Sequence, residues 1–272
     1  MKSATWKEYL LNSRVYSSLV FIPLFVFVLA TAPKWLLALM VLAALLLAVR
    51  EACGLLALPW PRCCPVVYGA ALGATWAGWQ GSLAGLVLVI FLAFLCQVLS
   101  LFGTGIDKES FEAFNRQLLL LFYLPFLFVH LLFLWDLPGG RALVAMVFLV
   151  AWGGDAFAYY TGRARGRRKL APAISPNKTV EGSLGGVVGG GFFALLLAFT
   201  GLVPLPWYQL VFLGMLANVV GQVGDLFESY LKRLGGSKDS GRLIPGHGGM
   251  LDRLDSILFA GPLIYYGIRL LN

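Results

Sequence analysis

The sequence predicts an all-α fold, a polytopic transmembrane helical bundle of about nine spans with its N-terminus on the cytoplasmic side. Three observations lead there. Of the 272 residues, 59% are hydrophobic and only 12% are charged, about half the charged fraction of a water-soluble domain. Apolar runs long enough to cross a bilayer recur along the whole chain. When those runs alternate in direction, the basic residues between them fall overwhelmingly on one side, the asymmetry that sets membrane topology. The net charge of +8 therefore reads as topology and as contact with membrane lipid or phosphate, with no nucleic acid as partner.

In chain order the runs fall at roughly 15–32, 35–58, 66–79, 82–102, 118–135, 142–161, 184–204, 207–228 and 254–271. The first follows Lys2, Lys7 and Arg14 and ends Ala30-Thr31-Ala32, in the manner of a secretory signal. Pro33 directly after that point, and the apolar runs beyond it, favour a retained span. Pro59, Pro61 and Pro65 crowd the junction of the second and third runs, and the third is short for a crossing.

With nine spans, eighteen of the 21 basic residues share the side of the N-terminus, leaving Lys34, Arg141 and Arg269 opposite. The richer side is cytoplasmic, so a multi-pass protein of the cell membrane is expected, its polar loops facing inward. Miscounting one span in the first half would scramble the split, which argues for an odd number. Two regions follow: residues 1–140, apolar spans of unassigned role, and residues 141–272, where polar groups enter the span ends.

Other features are bland. Cys53, Cys63, Cys64 and Cys96 form no C-x-x-C pair and read as small apolar residues. His130 lies in an apolar span and reads as structural. The glycines from Gly185 to Gly191 suit close helix packing, and no phosphate loop of the G-x-x-x-x-G-K-[ST] type occurs.

The chemistry has to lie where ionisable groups meet the membrane, because burying them there is costly. Asp155, Asp225, Glu228, Asp252 and Asp255 all fall at cytoplasmic span ends. Asp225, Glu228 and Lys232 share one helical face by their spacing, and Asp252 and Asp255 repeat it. Helix capping or pairing with Arg233 and Arg253 would explain any one of them. It explains less well the set on one side.

Around them lies material for binding phosphate. Residues 162–182 carry Arg163, Arg165, Arg167, Arg168, Lys169 and Lys178, and run through Ser175-Pro176-Asn177-Lys178-Thr179 to a glycine-rich helix start. Helix-start amides with hydroxyls and a lysine make an anion site, whereas topology alone would account for the arginine cluster. The next loop holds Lys232, Arg233, Lys238, Asp239, His247 between glycines, Asp252, Arg253 and Asp255. Carboxylates beside cations and glycine-exposed backbone suit magnesium with polyphosphate, since magnesium takes few protein carboxylates and completes its shell with water and phosphate. A lone histidine is more often structural, but the glycines and acids around His247 weigh toward function.

The stretch from Ser229 to Asp255, SYLKRLGGSKDSGRLIPGHGGMLDRLD, resembles the signature of the phosphatidate cytidylyltransferase (CDP-diacylglycerol synthase) family. Gly221-Gln222-Val223-Gly224-Asp225, Asp155 to Tyr159, and Lys169 to Thr179 are similar to the same family, so the resemblance covers residues 152–256. It implies transfer of a cytidylyl group from CTP to phosphatidate, giving CDP-diacylglycerol and pyrophosphate. It also implies Mg2+ as cofactor, with Asp225 and Asp252 at the positions of the metal-site aspartates, and leaves a homodimer open.

On that resemblance Lys232, Arg233 and Lys238 would neutralise the triphosphate or leaving pyrophosphate. Ser175, Asn177, Lys178 and Thr179 would hold a phosphate. Asp155, Ser229, Asp239, His247, Arg253 and Asp255 would contact substrate or support those that do. A CTP-dependent polyprenol or phytol kinase is the alternative enzyme. A transporter would place its carboxylates nearer mid-membrane on several spans.

Overall fold

The computed structural model describes residues 29, 31–58, 64–103, 106–241 and 248–271. Nearly all of the expected first span, and His247, lie outside these residues. Eight helices follow in the described chain: α1 (Lys34–Leu55), α2 (Cys64–Trp79), α3 (Leu83–Leu101), α4 (Lys108–Trp135), α5 (Gly140–Arg165), α6 (Val180–Ala198), α7 (Trp207–Leu234) and α8 (Leu251–Leu271). All but α2 are long and apolar enough to cross a membrane. A polytopic helical bundle is therefore the architecture.

Local chemistry sets where these helices start. Ser82 Oγ accepts Gly85 N–H at 2.9 Å, Asp107 Oδ1 accepts Ser110 N–H at 2.7 Å, and Thr179 Oγ1 accepts Gly182 N–H at 3.1 Å, each satisfying an amide without an intrahelical partner. The Ser110 bonds hold the exposed Asp107 carboxyl below its ordinary range. Pro33 and Pro206 precede α1 and α7, where a missing N–H costs least.

Two boundaries differ from expectation. The span expected at 118–135 begins at Lys108, because its first half carries Lys108, Glu109, Glu112 and Arg116 on an amphipathic helix. The segment 162–182, expected as a loop, contains an antiparallel hairpin of β1 (Lys169–Ala171) and β2 (Ser175–Thr179), with Lys169 opposite Thr179 and Ala171 opposite Ser175. Among the described residues the fold is thus helical with one small strand pair. Helices α4 and α5 each contain a π-helical turn, at Phe122–Phe126 and Leu149–Gly153, a distortion frequent beside functional sites.

The core runs along α4, whose Leu120, Leu121, Leu124, Leu131, Leu132 and Leu134 are fully buried against the neighbouring helices. His130 belongs to this core. Its Nδ1 lies 2.9 Å from the Phe126 carbonyl and its Nε2 3.2 Å from the Tyr266 hydroxyl, so both ring nitrogens are satisfied and its reading as structural holds. Helices α5, α6, α7 and α8 pack in succession, with backbones in near contact. A Cβ added to Gly190 would lie 2.8 Å from the Gly214 carbonyl, and one on Gly214 2.8 Å from the Gly190 carbonyl. Neither neighbour is a side chain that can turn away, so only glycine permits this approach.

The bundle has two distinct ends. At one, Lys34 pairs with Asp136 at 2.6 Å and donates to the Trp79 carbonyl, while Arg141 lies over the Trp135 ring and donates to the Ala32 carbonyl. Away from this end lie the ion pairs Lys178–Asp225, Lys232–Glu228 and Lys232–Asp252.

Candidate active site

Helix α7 carries the frame of the site. Asn218, Gln222, Asp225, Ser229 and Lys232 recur every three or four residues and form one polar stripe, with Glu228 beside it. The first part of the stripe meets α5 and α6 through a chain of hydrogen bonds. Asn218 Nδ2 donates to the Val150 carbonyl in the π-turn of α5 at 3.0 Å. Gln222 Nε2 donates to Asn218 Oδ1 at 2.7 Å and to the Ser183 carbonyl at 3.0 Å, and its Oε1 accepts from Ser183 Oγ at 2.5 Å. The amide of Gln222 is thereby locked in one orientation.

Beside it opens a cavity of about 440 Å³ lined by Asp155, Asn177, Lys178, Ser183, Gln222 and Asp225, with Tyr159, Arg163 and Thr179 at its walls. That volume suits a small-molecule ligand. Lys178 forms an ion pair with Asp225 Oδ2, and Ser229 Oγ reaches Asp225 Oδ1 at 3.5 Å. Ser175 of the same strand does not line the cavity. The hairpin is fixed to α6 by Glu181, whose carboxylate accepts the backbone N–H groups of Arg167 at 3.0 Å and Arg168 at 3.2 Å. The arginine-rich segment is therefore held by its backbone, leaving its side chains to other partners.

The second part of the stripe meets α8. A Cβ on Gly224 would lie 2.5 Å from the Asp255 carbonyl and one on Gly221 3.3 Å from that of Ser256, so the two helices touch where their carboxylates are. Lys232 pairs with Glu228, whose side chain is wholly buried, and with Asp252 Oδ1 at 2.7 Å. Asp252 Oδ2 accepts Ser240 N–H at 3.0 Å, Ser240 Oγ–H at 2.7 Å and Gly249 N–H at 2.8 Å. One oxygen of Asp252 is thus anchored to backbone, and the other faces a lysine. Asp155 and Asp255 both lie in the field of Asp225.

The remaining expected residues are spread around this centre. Arg233 donates to the Ile174 carbonyl at 3.3 Å and the Ser237 carbonyl at 3.2 Å, tying the hairpin to the end of α7. Lys238, Asp239 and Arg253 are exposed, and Asp239 lines a second cavity of about 500 Å³ with Arg50, Glu51, Ser237 and Ser240.

Sequence reasoning gave no role to Asn218, Gln222, Ser183, Ser240 and Glu51, although Gln222 and Ser240 fall within the stretches that carry the family resemblance. Asn218 and Gln222 continue the spacing of Asp225 and Lys232 by two turns and one, and that periodicity was the signal. Glu51 is a carboxylate near the end of an apolar run, which the cost of burial alone should have flagged.

Among the described residues no group of three or more His, Cys, Asp or Glu forms a metal cage. Two aspartates on touching helices, each already facing a cation, are instead a donor set that magnesium can share with phosphate oxygens.

A model of the Cytidylyltransferase family matches residues 12–271. The phosphatidate cytidylyltransferase of Bacillus subtilis (strain 168) is 44% identical over 133 residues, 49% of this chain and 49% of that protein. That of Brucella abortus biovar 1 (strain 9-941) is 47% identical over 130 residues, 48% of each. The chain thus spans about half the length of these curated relatives. The Escherichia coli (strain K12) protein YnbB, described as uncharacterized, is 33% identical over 248 residues, covering 88% of this chain and 81% of that protein.

Proposed function

Because this chain belongs to the Cytidylyltransferase family, we propose that it transfers the cytidylyl group of CTP to phosphatidate, releasing pyrophosphate and forming CDP-diacylglycerol for phospholipid synthesis. The observation that carries this reading is the pairing of two lysine-clasped aspartates, Asp225 with Lys178 and Asp252 with Lys232, at one end of a membrane bundle, the first of them in a cavity that Asp155, Asn177 and Gln222 also line. A lipid head and a soluble nucleotide can meet only at such an end.

In the reaction a phosphate oxygen of phosphatidate bonds to the α-phosphorus of CTP, and the bond from that phosphorus to the bridging oxygen breaks. The electron pair leaves with pyrophosphate. The nucleophile is already anionic, so no strong base is required, and positioning and charge neutralisation supply the catalysis. Lys178, Lys232 and Lys238 exchange carboxylate or water for phosphate oxygens. Gln222 and Ser183 form a rigid wall of the cavity and orient what enters it. Asp225 and Asp252 would hold Mg2+, which when bound acts as a Lewis acid and template for the phosphates.

The remaining features form one topology in this reading. The N-terminus is cytoplasmic, about nine spans cross the cell membrane, and the site opens to the cytoplasm. Its support is the basic asymmetry of the sequence, with Lys34 and Arg141 bound to separate partners away from the Asp225 and Asp252 pairs. Residues 141–272 form the catalytic region.

The test is detergent-purified protein with magnesium, phosphatidate and CTP labelled at the α-phosphorus. Label is expected in the extracted lipid, and chelation of magnesium abolishes it. Label confined to the aqueous phase, with γ-label passing to a polyprenol acceptor and CDP released, would assign the protein as a kinase instead.

A further inference from the structure

Glu51 stands on α1, among the spans to which the sequence assigned no role, yet its contacts are to the catalytic region. Its Oε1 accepts Met250 N–H at 2.9 Å and its Oε2 accepts Leu251 N–H at 2.8 Å. These amides lie at the start of α8, where no intrahelical acceptor exists. Oε2 also lies 3.2 Å from Ser240 Oγ, the hydroxyl that reaches Asp252 Oδ2 at 2.7 Å. The backbone closes on this carboxylate from two sides. A Cβ on Gly241 would fall 2.5 Å from Oε1, and one on Gly249 would overlap Oε2 and Ser240 Oγ. Glu51 therefore fixes both segments that carry the donors to Asp252, the residue-240 loop and the residues just before α8.

We propose that Glu51 is a positioning residue for the metal site, holding the Asp252 carboxylate in its ligating orientation from the N-terminal half of the chain. This rests on the reading of Asp252 as a metal ligand. An acceptor-only side chain is needed because each of its oxygens takes a backbone N–H, Oε1 from Met250 and Oε2 from Leu251. A glutamine would turn its own NH2 toward one of them, leaving an amide unsatisfied and the loop displaced. Residues that orient a ligand in this way typically change metal affinity by about 10–100-fold when replaced. The two halves of the chain then form one functional unit, and the N-terminal spans are part of the site.

The test is Mn2+ binding to the detergent-purified full chain, read from the electron paramagnetic resonance signal of the free ion, with thermal unfolding measured in parallel without metal. Glu51→Gln is expected to weaken Mn2+ binding by about 10-fold or more. Glu51→Asp keeps the charge but has a shorter reach, and is expected to fall between wild type and Glu51→Gln. Glu109→Gln, on the exposed start of α4, should bind as wild type. Ser240→Ala combined with Glu51→Gln should weaken binding by less than the product of the single effects, since both act through one carboxylate.

Wild-type Mn2+ affinity in either folded Glu51 variant overturns the proposal, even with a lowered melting temperature, and leaves Glu51 as a helix cap alone. The readout needs no turnover. Wild-type protein that binds Mn2+ through Asp252 and makes no lipid product refutes the proposed reaction and not this role. Binding that ignores Asp252→Asn removes both the metal reading and the proposal.

Discussion

Asp252→Asn is expected to lower the proposed cytidylyl transfer by about 10³-fold, roughly 4 kcal/mol of transition-state stabilisation, in a protein that remains folded. The asymmetry of its hydrogen bonds gives the reason. Oδ2 receives Ser240 N–H, Ser240 Oγ–H and Gly249 N–H, while Oδ1 faces Lys232. Asparagine can place its carbonyl oxygen where Oδ2 stands and keep the backbone donors satisfied, so the start of α8 persists. Its NH2 then occupies the outward position, where it repels the Lys232 ammonium and cannot ligate a cation. The rate of label transfer into lipid checks the activity, and size-exclusion behaviour in detergent checks the fold. Near-wild-type turnover would remove Asp252 from the chemistry.

Lys232→Met is expected to have the second large effect, on stability and activity together. Lys232 is the cation beside Glu228, whose side chain has 0% exposure, and it bridges to Asp252. Removing one partner of a buried pair typically costs about 3–5 kcal/mol, because the remaining charge has no compensation. The double variant Glu228→Gln/Lys232→Met removes that charge and recovers most of the stability. Its turnover is expected to stay roughly 100-fold low, since the cation that faces Asp252 and, in the proposed reaction, the phosphates is still missing. Thermal unfolding in detergent and the initial rate separate the two effects. If the double variant regains full activity, Lys232 only neutralises Glu228.

Both variants act on groups that the sequence brings out. Asp225 and Lys232 share a face by spacing alone, and carboxylates at the ends of apolar runs are rare enough to draw attention. The apolar runs likewise mark α1, α3, α5, α6, α7 and α8 closely, because a bilayer-crossing helix is apolar on every side. The first half of α4 is hidden because its charged residues lie on an amphipathic helix, which looks like a loop when only apolar runs are sought. The hairpin is hidden because its strands have three and five residues, and one contains Pro176, a residue that strands tolerate poorly.

The site was less legible than the fold wherever it depends on distant partners. Glu51 meets Met250 and Leu251 across 199 and 200 positions, and no local pattern announces such a contact. Arg233 reads as a phosphate ligand by its charge, yet its guanidinium is engaged with the carbonyls of Ile174 and Ser237. The contact it makes is to the hairpin that carries Asn177 and Lys178. Thr179 is similar, its Oγ1 being the cap of α6.

The central claim is that Asp225 and Asp252 serve a single metal–phosphate centre, with Lys178 and Lys232 as their exchangeable partners. It is tested most directly by a structure of the protein with Mn2+ and a non-hydrolysable CTP analogue, locating the metal by its anomalous scattering. The account predicts a Mn2+ position within coordination distance of both carboxylates, with both lysines turned to phosphate oxygens. A Mn2+ that contacts neither aspartate, with Lys178 still on Asp225 and Lys232 still on Asp252 beside the bound nucleotide, would contradict it.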